Sequence, residues 1–488
     1  MLHLKLMGHH APRLGILLLF LCNTANLFAG EQKDQKSDPA QDTDAPSVLS
    51  FKGYLESNLL FHVEPKVAEP EHPLKKNELH SSFKFKYGFE EAYFFLRNDL
   101  RVSSGYFGEG PEDSFHYATA SKQQPNLTLS SENYEIAFPE AYLNYQRGSV
   151  RMRAGNQVFG WGTADIFNPT SYFNPSDDRE YFFLGTDQRK IGVPALSLMY
   201  LGDSDSLELV ANPVHTPGLY ADQNSFWGLA LDSYQIPVRL LPREQATDSR
   251  QSASYGLRYA RTISGMDVAV TVFDGIDKDP VYLPIATVAL PGSTPTVHVE
   301  PRHYRVTAVG LDFSRTAGDV VVQGEIAFSP NKTATIKQKY ETVSDIRFPY
   351  ETKEVQSLSY ALGFNYFIPL HRLFPGHEGD SVFTAEWYQT QYGDKDVAAP
   401  FLSDIFATRL QDTFAEGRMS GSFTTFYDTR TGDNLLWPAA GYKFDSGLSF
   451  DLGYGRFRGT LHKMNETASL FYYLRDKDVV TFTTKYSF

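Results

Sequence analysis

The chain has 488 residues, 42% of them apolar and 14% aromatic, with 37 Phe and 29 Tyr. A formal charge of -13, from 45 basic against 58 acidic residues, argues against a nucleic-acid partner. Mean hydropathy is -0.34, and past the first segment no run approaches the ~18 apolar residues of a spanning helix, which argues against a helical membrane protein. A transmembrane barrel fits both facts, because only alternate residues face lipid and aromatic girdles mark the interfaces.

Residues 1–29 read as a secretory signal. Lys5 and Arg13 flank the short apolar core "LGILLLFLC", and "NTANLFAG" offers small residues for cleavage after Ala29 or Ala25. Cys22, the single cysteine, lies inside this signal. Leu21 precedes it where a lipoprotein signal needs a small residue, so the mature chain is expected to carry no lipid, disulfide or cysteine-based metal site. Residues 30–48, beginning "GEQKDQKSDPAQDTDAPS", have too little apolar content to bury and are expected to form a disordered, acidic periplasmic leader.

From Leu49 onward the pattern changes to a period of two, the mark of a strand whose faces meet different environments. Leu49, Phe51, Leu55, Leu59, Phe61 and Val63 share one face, and Lys52, Glu56, Asn58 and His62 the other. "SSFKFKYGF" sets Phe83, Phe85, Tyr87 and Phe89 against Lys84 and Lys86. "FFLRNDLRV" sets Phe94, Leu96, Leu100 and Val102 against Phe95, Arg97, Asp99 and Arg101. Further hairpins turn near 316–319 and 445–447. Tight turns alternate with long polar loops, such as 108–131, 159–192, 213–251, 275–301, 330–354 and 393–404. That rhythm predicts an all-β transmembrane antiparallel up-and-down barrel over 49–488, of about 18 strands (16–18 fit), with short periplasmic turns and long extracellular loops.

A secreted propeller or tandem sandwich also alternates. Against it stand the aromatic richness of the apolar face, the full charges on the other, and the lack of a blade-length repeat. In "VTFTTKYSF", the last nine residues, Val480, Phe482, Tyr486 and Phe488 share one face. The segment resembles the C-terminal signal read by the outer-membrane assembly machinery, with Phe482, Tyr486 and Phe488 as its apolar positions.

A second resemblance lies in "RMRAGNQVFGWGTADIFNPTSYFNP" (151–175), where an R-x-G-x-Q strand leads into a W-G-x-x-D-x-x-N-P loop, and in the C-terminal hairpins "YDTRTGDNLLWPAAGYKFDSGLSFDLGYGRFRG". Both are similar to a largely uncharacterised family of proteobacterial outer-membrane β-barrel (porin-like) proteins. The resemblance implies the bacterial outer membrane, with loops at the cell surface, and channels for hydrophobic or aromatic compounds.

If the aromatic parity faces lipid, the lumen receives Arg97, Asp99, Arg101, Glu140, Arg151 and Arg153, an arginine ladder partly matched by carboxylates. Arg258, Asp312, Gln323, Glu325, Glu386, Arg409 and Lys485 face it further round. Such a ladder can form a charged constriction that selects solutes, or simply keep a wet interior soluble. The loop 159–183 combines Phe159, Trp161, Asp165, Phe167, Tyr172 and Phe173 with turn formers such as Asn168–Pro169, and is expected to fold inward as a constriction. The alternative is an ordered cap outside the barrel.

No G-x-S-x-G, H-E-x-x-H or phosphate loop is present, so a hydrolase or acyltransferase is a distant reading. "DGIDKDP" (274–280) lacks the calcium-loop spacing and reads as a solvated acidic loop. No metal or cofactor is expected. The expected partners are outer-membrane lipid and lipopolysaccharide, the barrel-assembly machinery, and a small solute. The main function expected is passive passage of small solutes. Its rival is a non-conducting surface barrel, an adhesin or structural protein acting through its loops.

Overall fold

The computed structural model describes residues 49–63, 73–103, 128–130, 134–183, 186–221, 226–228, 238–240, 252–288, 296–338, 347–372, 374, 377, 381–400, 402–460 and 469–488. The expected signal and leader lie outside these residues, as do most of the loops predicted at 108–131 and 213–251.

The chain builds one antiparallel barrel. Its first half comprises β1 (Leu49–His62), β2 (Leu74–Phe89), β3 (Ala92–Ser103), β4 (Tyr134–Arg147), β5 (Val150–Gln157), β6 (Val193–Leu201), β7 (Asp205–Asn212), β8 (Ser254–Ile263) and β9 (Met266–Ile276). The second comprises β10 (Arg305–Ala317), β11 (Val320–Thr335), β12 (Thr352–Ile368), β13 (Ser381–Tyr392), β14 (Asp404–Phe414), β15 (Met419–Asp428), β16 (Asn434–Lys443), β17 (Leu448–Arg458) and β18 (Val479–Ser487). Each strand pairs with its sequence neighbours, and β18 returns to β1 from His62↔Val479 to Tyr54↔Ser487. The three-residue strand Thr128–Ser130 adds to β4 at the rim. Closure satisfies every edge, which a structure surrounded by lipid requires.

The alternation read from the sequence is the alternation of the wall. Leu143, Val150, Met152, Leu196, Leu198, Val270, Val272, Val309, Leu311, Val322, Ile326 and Phe328 stand exposed on the outer face. Between them Asn144, Gln157, Ser197, Asp312, Gln323 and Glu325 are buried on the inner face. An apolar exterior of this kind is stable only against lipid, and a closed barrel carrying one belongs in the outer membrane. Among the described residues no helix is long and apolar enough to cross a membrane.

One rim carries tight turns whose residues take the left-handed backbone that two-residue hairpins demand. Ser264 and Gly265 (φ 52° and 74°) link β8 to β9, and Gly318 (φ 62°) links β10 to β11. The loop expected at 330–354 is shorter than the sequence suggests. β11 runs to Thr335 and β12 starts at Thr352, because Lys332, Thr333 and Ala334 pair with Val355, Glu354 and Lys353 beyond a bulge. Polar residues extend a strand past the membrane as readily as apolar ones, so composition alone misplaces that boundary.

The barrel closes at Gly53 and Phe488, which exchange both backbone hydrogen bonds (2.9 and 3.0 Å). The Phe488 ring lies against Phe51 and Phe83, with centroids 5.9 and 6.2 Å apart. Tyr486 and Phe482 face Leu55 and Leu59 across the seam.

Candidate functional site in the barrel lumen

The segment after β5 turns into the barrel. At its root Asn174 clamps both ends: its amide donates to the carbonyls of Gln157 (3.0 Å) and Ile191 (2.8 Å), and its Oδ1 accepts Phe159 N–H (2.6 Å). Gln157 donates to the Ala195 carbonyl (2.8 Å) and Trp161 Nε1 to Glu208 (2.9 Å). The residues that stood out as a sequence motif are therefore the fastenings of the loop.

From this root the loop crosses the bore. Glu325 on β11 accepts the backbone N–H groups of Thr163 (2.6 Å), Ala164 (2.7 Å) and Thr170 (3.0 Å), and the Thr170 hydroxyl (2.7 Å). Glu386 on β13 accepts the N–H groups of Asp165 (2.9 Å), Ile166 (3.2 Å) and Phe167 (2.7 Å). β13 stands eight places round the ring from β5, one short of diametrically opposite. Each carboxylate is buried and takes charge-assisted bonds worth roughly 1.5–3 kcal/mol apiece. Asp165 accepts in turn from Gln323 (2.5 Å) and Asn365 (2.7 Å), and Ser171 N–H closes the Asn168–Pro169 turn on the Asn168 carbonyl (3.1 Å). Gly162 has φ 96°, and a Cβ there would collide with the Glu325 carboxylate.

Two aromatic clusters flank the crossing. Phe159, Trp161, Tyr172 and Phe173 pack with Phe273 at centroid separations of 5.1–6.4 Å. Gly256 on β8 makes room, since a Cβ there would meet the Phe173 and Trp161 rings. On the far side Phe167 stacks on Tyr388 (4.8 Å) and Phe182 on Phe426 (4.3 Å), while Phe183 meets Trp227 (5.0 Å) and Trp437 (4.8 Å).

The inward folding is wider than the single loop expected. The short strand Leu219–Tyr220 pairs with Asp177–Asp178, and the helix Leu470–Tyr473 is buried along its whole length. Ser469 caps that helix, accepting Tyr472 N–H (3.1 Å) and donating to Asp433 (2.6 Å). A four-residue helix is too short to register as a period, so no local pattern announces it.

The arginine ladder divides into two kinds. Arg97 is paired to Asp99 (2.8 Å), and both are buried. Arg101 lies 3.5 Å from Asp177 of the loop, whose Arg179 holds Asp177 (2.6 Å) and Glu135 (2.9 Å). Lys76 binds Glu180 (2.6 Å) and Glu78 (3.1 Å) beside them. Burial alone would raise the Asp177 carboxyl, but Arg179 and Arg101 outweigh it and hold it below the ordinary aspartate range. Arg151 and Arg153 differ. Among the described residues neither has a carboxylate within salt-bridge distance. Arg153 donates to Asn144 (3.1 Å) and lies 5.2 Å from the Tyr142 ring centroid. Glu140 faces Arg97 across β3–β4.

Glu325, Glu386, Glu135 and Arg179 are the anchors that sequence reasoning did not assign. The first two were legible as lumen residues, carboxylates at the inward parity of apolar strands, but nothing in the strands names what they bind. In "DGIDKDP", Asp274 pairs with Arg305 and Asp277 with Lys332. Among the described residues no group of three or more His, Cys, Asp or Glu is placed to hold a metal ion.

Among solved structures the chain is similar to OccAB3 of Acinetobacter baumannii (11% identity, 90% of this chain and 99% of that one, TM-score 0.47). It is also similar to OccK8 (OprE) of Pseudomonas aeruginosa (9%, 90% and 98%, 0.45) and to OmpT, an outer membrane protein of Vibrio cholerae (10%, 90% and 99%, 0.40). No curated protein matches. A family model matches residues 104–412.

Proposed function

The chain belongs to the family described as protein of unknown function (DUF1302), and we propose that it is an outer-membrane channel for passive passage of small solutes, with loop 159–183 as its constriction. The observation that carries this reading is the six backbone N–H groups of the loop held by two buried wall glutamates, Glu325 and Glu386. An eighteen-strand barrel is wide enough for an aqueous channel unless something fills it, and here the filling element is latched to the wall by polar groups. The aromatic surfaces beside it, Phe159, Trp161 and Phe173 on one side and Phe167 with Tyr388 on the other, suit hydrophobic or aromatic solutes. In this reading the long-loop rim faces the cell surface.

The same inward packing supports a second reading, a non-conducting barrel that acts through its outer loops. Planar-bilayer conductance separates the two. Wild type is compared with a variant lacking residues 159–183. Steady steps that grow on deletion support the channel. Silence from both proteins, each shown folded by heat-shifted gel mobility, sinks it in favour of the surface barrel.

A further inference from the structure

Near the short-turn rim the lumen cations outnumber the carboxylates: Glu140 attracts Lys84 and Arg153, and Glu208 attracts Arg151, none of them within salt-bridge distance. Lys52, Lys84, Lys86, Arg151 and Arg153 all lie on the inward parity of β1, β2 and β5, and among the described residues none has a carboxylate within salt-bridge distance. By contrast Lys76, Arg97, Arg101 and Arg179 are each ion-paired. Register makes the crowding direct: Lys52 pairs across the ladder with Lys84, and Lys84 with Arg97. Like charges placed opposite one another in a sheet destabilise it. Five cations beside two carboxylates leave this part of the wall with an excess of positive charge, which favours an anion.

What it faces is also specific. Tyr93, Phe95 and Tyr142 form a contiguous ring surface, Phe95 and Tyr142 with centroids 5.3 Å apart and Tyr93 and Tyr142 6.3 Å apart. Two of the cations lie over it, Lys86 Nζ 4.7 Å from the Tyr93 centroid and Arg153 5.2 Å from that of Tyr142. The nearby carboxylates are Glu140 and Glu208, and Glu208 already accepts from Trp161 (2.9 Å) and Ser197 (2.6 Å).

We propose that this patch of β1–β5 binds a small aromatic carboxylate, the anionic group on Lys84, Lys86 and Arg153 and the ring against Tyr93, Phe95 and Tyr142. An ammonium or guanidinium supplies the charge-assisted bonds a carboxylate needs, and a flat ring stacks where a bulky saturated one does not. The inference deepens the channel reading by naming the class of solute that pauses on the wall. As a binding claim it is measurable whether or not the barrel conducts.

The test is calorimetric titration of the refolded full-length barrel with benzoate, benzamide and cyclohexanecarboxylate, beside the variant K84Q/R153Q. The variant breaks no ion pair but removes the Arg153 bond to Asn144, so heat-shifted gel mobility is checked first to show that it folds. Benzoate is expected to bind the wild type at least tenfold more tightly than either analogue, and the variant at least tenfold more weakly than the wild type. No benzoate binding, or equal binding by the variant, overturns the proposal. Equal binding of benzamide overturns the role of charge, and equal binding of cyclohexanecarboxylate that of stacking. Benzoate binding to a barrel that carries no current leaves this site standing and removes the channel. A conducting barrel that ignores benzoate does the reverse.

Discussion

Phe167 leaves β5's side of the barrel and ends on the opposite wall, where its N–H donates to Glu386 at 2.7 Å. Its ring simultaneously stacks on Tyr388, two residues along the same strand, at 4.8 Å. One residue is thus held by a buried carboxylate and by an aromatic face of the same strand.

Replacing that charge releases the crossing. Glu386→Ala leaves three N–H groups without an acceptor, a loss of roughly 1–3 kcal/mol for each that stays buried. The loop is expected to leave the wall instead and hydrate. Single-channel conductance should rise and chymotrypsin should cut within 159–183, while the folded barrel keeps its heat-shifted mobility. Unchanged conductance and protection would show that Glu386 does not latch the loop.

Gly162→Ala acts on the second latch through sterics. The residue sits at φ 96°, and its new Cβ would meet the carboxylate of Glu325. Left-handed or otherwise unfavourable backbone costs about 1–3 kcal/mol for a residue with a Cβ. The variant is expected to reproduce Glu325→Ala, and the double variant to add little to either alone. Full additivity in a double-mutant cycle of proteolysis rates would place the two effects at separate sites.

Acid should loosen the loop at its other end. Asp177 is held below the ordinary aspartate range in the docked state. A depressed carboxyl stabilises the docked state fully above its undocked value, about pH 4, and loses that contribution as pH falls toward the docked one. The Asp177 contribution to proteolytic or solvent-exchange protection of residues 176–183 is expected to be constant from about pH 8 to about pH 5 and to fall below about pH 4. In Asp177→Asn this acid step should shrink. A step of the same size in the variant would assign it to another group.

The seam gives a test of closure. Phe488→Ala removes ring contacts with Phe51 and Phe83, each aromatic pair contributing about 0.5–1.5 kcal/mol. The variant should lose its folded gel mobility at a temperature several degrees below wild type. Deleting Phe488 also removes both backbone bonds to Gly53 and should lower it further. Identical melting of all three proteins would show that the seam does not limit stability.

The barrel, a count of about 18 strands and the inner and outer parity of its clearest strands were legible in the sequence. Those properties are written locally, because alternation has a period of two and a shift of one residue would invert every side chain. On β10 the pattern is plain: Val309, Leu311 and Phe313 alternate with Gly310 and Asp312. In the fold Val309 and Leu311 stand exposed on the outer face, while Asp312 is buried on the inner one.

From its own Trp, Gly and Asn-Pro content loop 159–183 could be read as an inward element or as an outer cap. Its destination was not legible. Thr163 and Glu325 are 162 residues apart, Phe167 and Glu386 are 219, and Arg101 and Asp177 are 76. No local pattern links such pairs, so Arg97 and Arg101 looked the same as Arg151 and Arg153 in the sequence.

Which lumen charges are neutralised and which are left open depends on the closed fold. The reason is physical. The parity of a strand is set by the two solvents it separates, but a buried charge is governed by whichever opposite charge the closed barrel brings within about 4 Å.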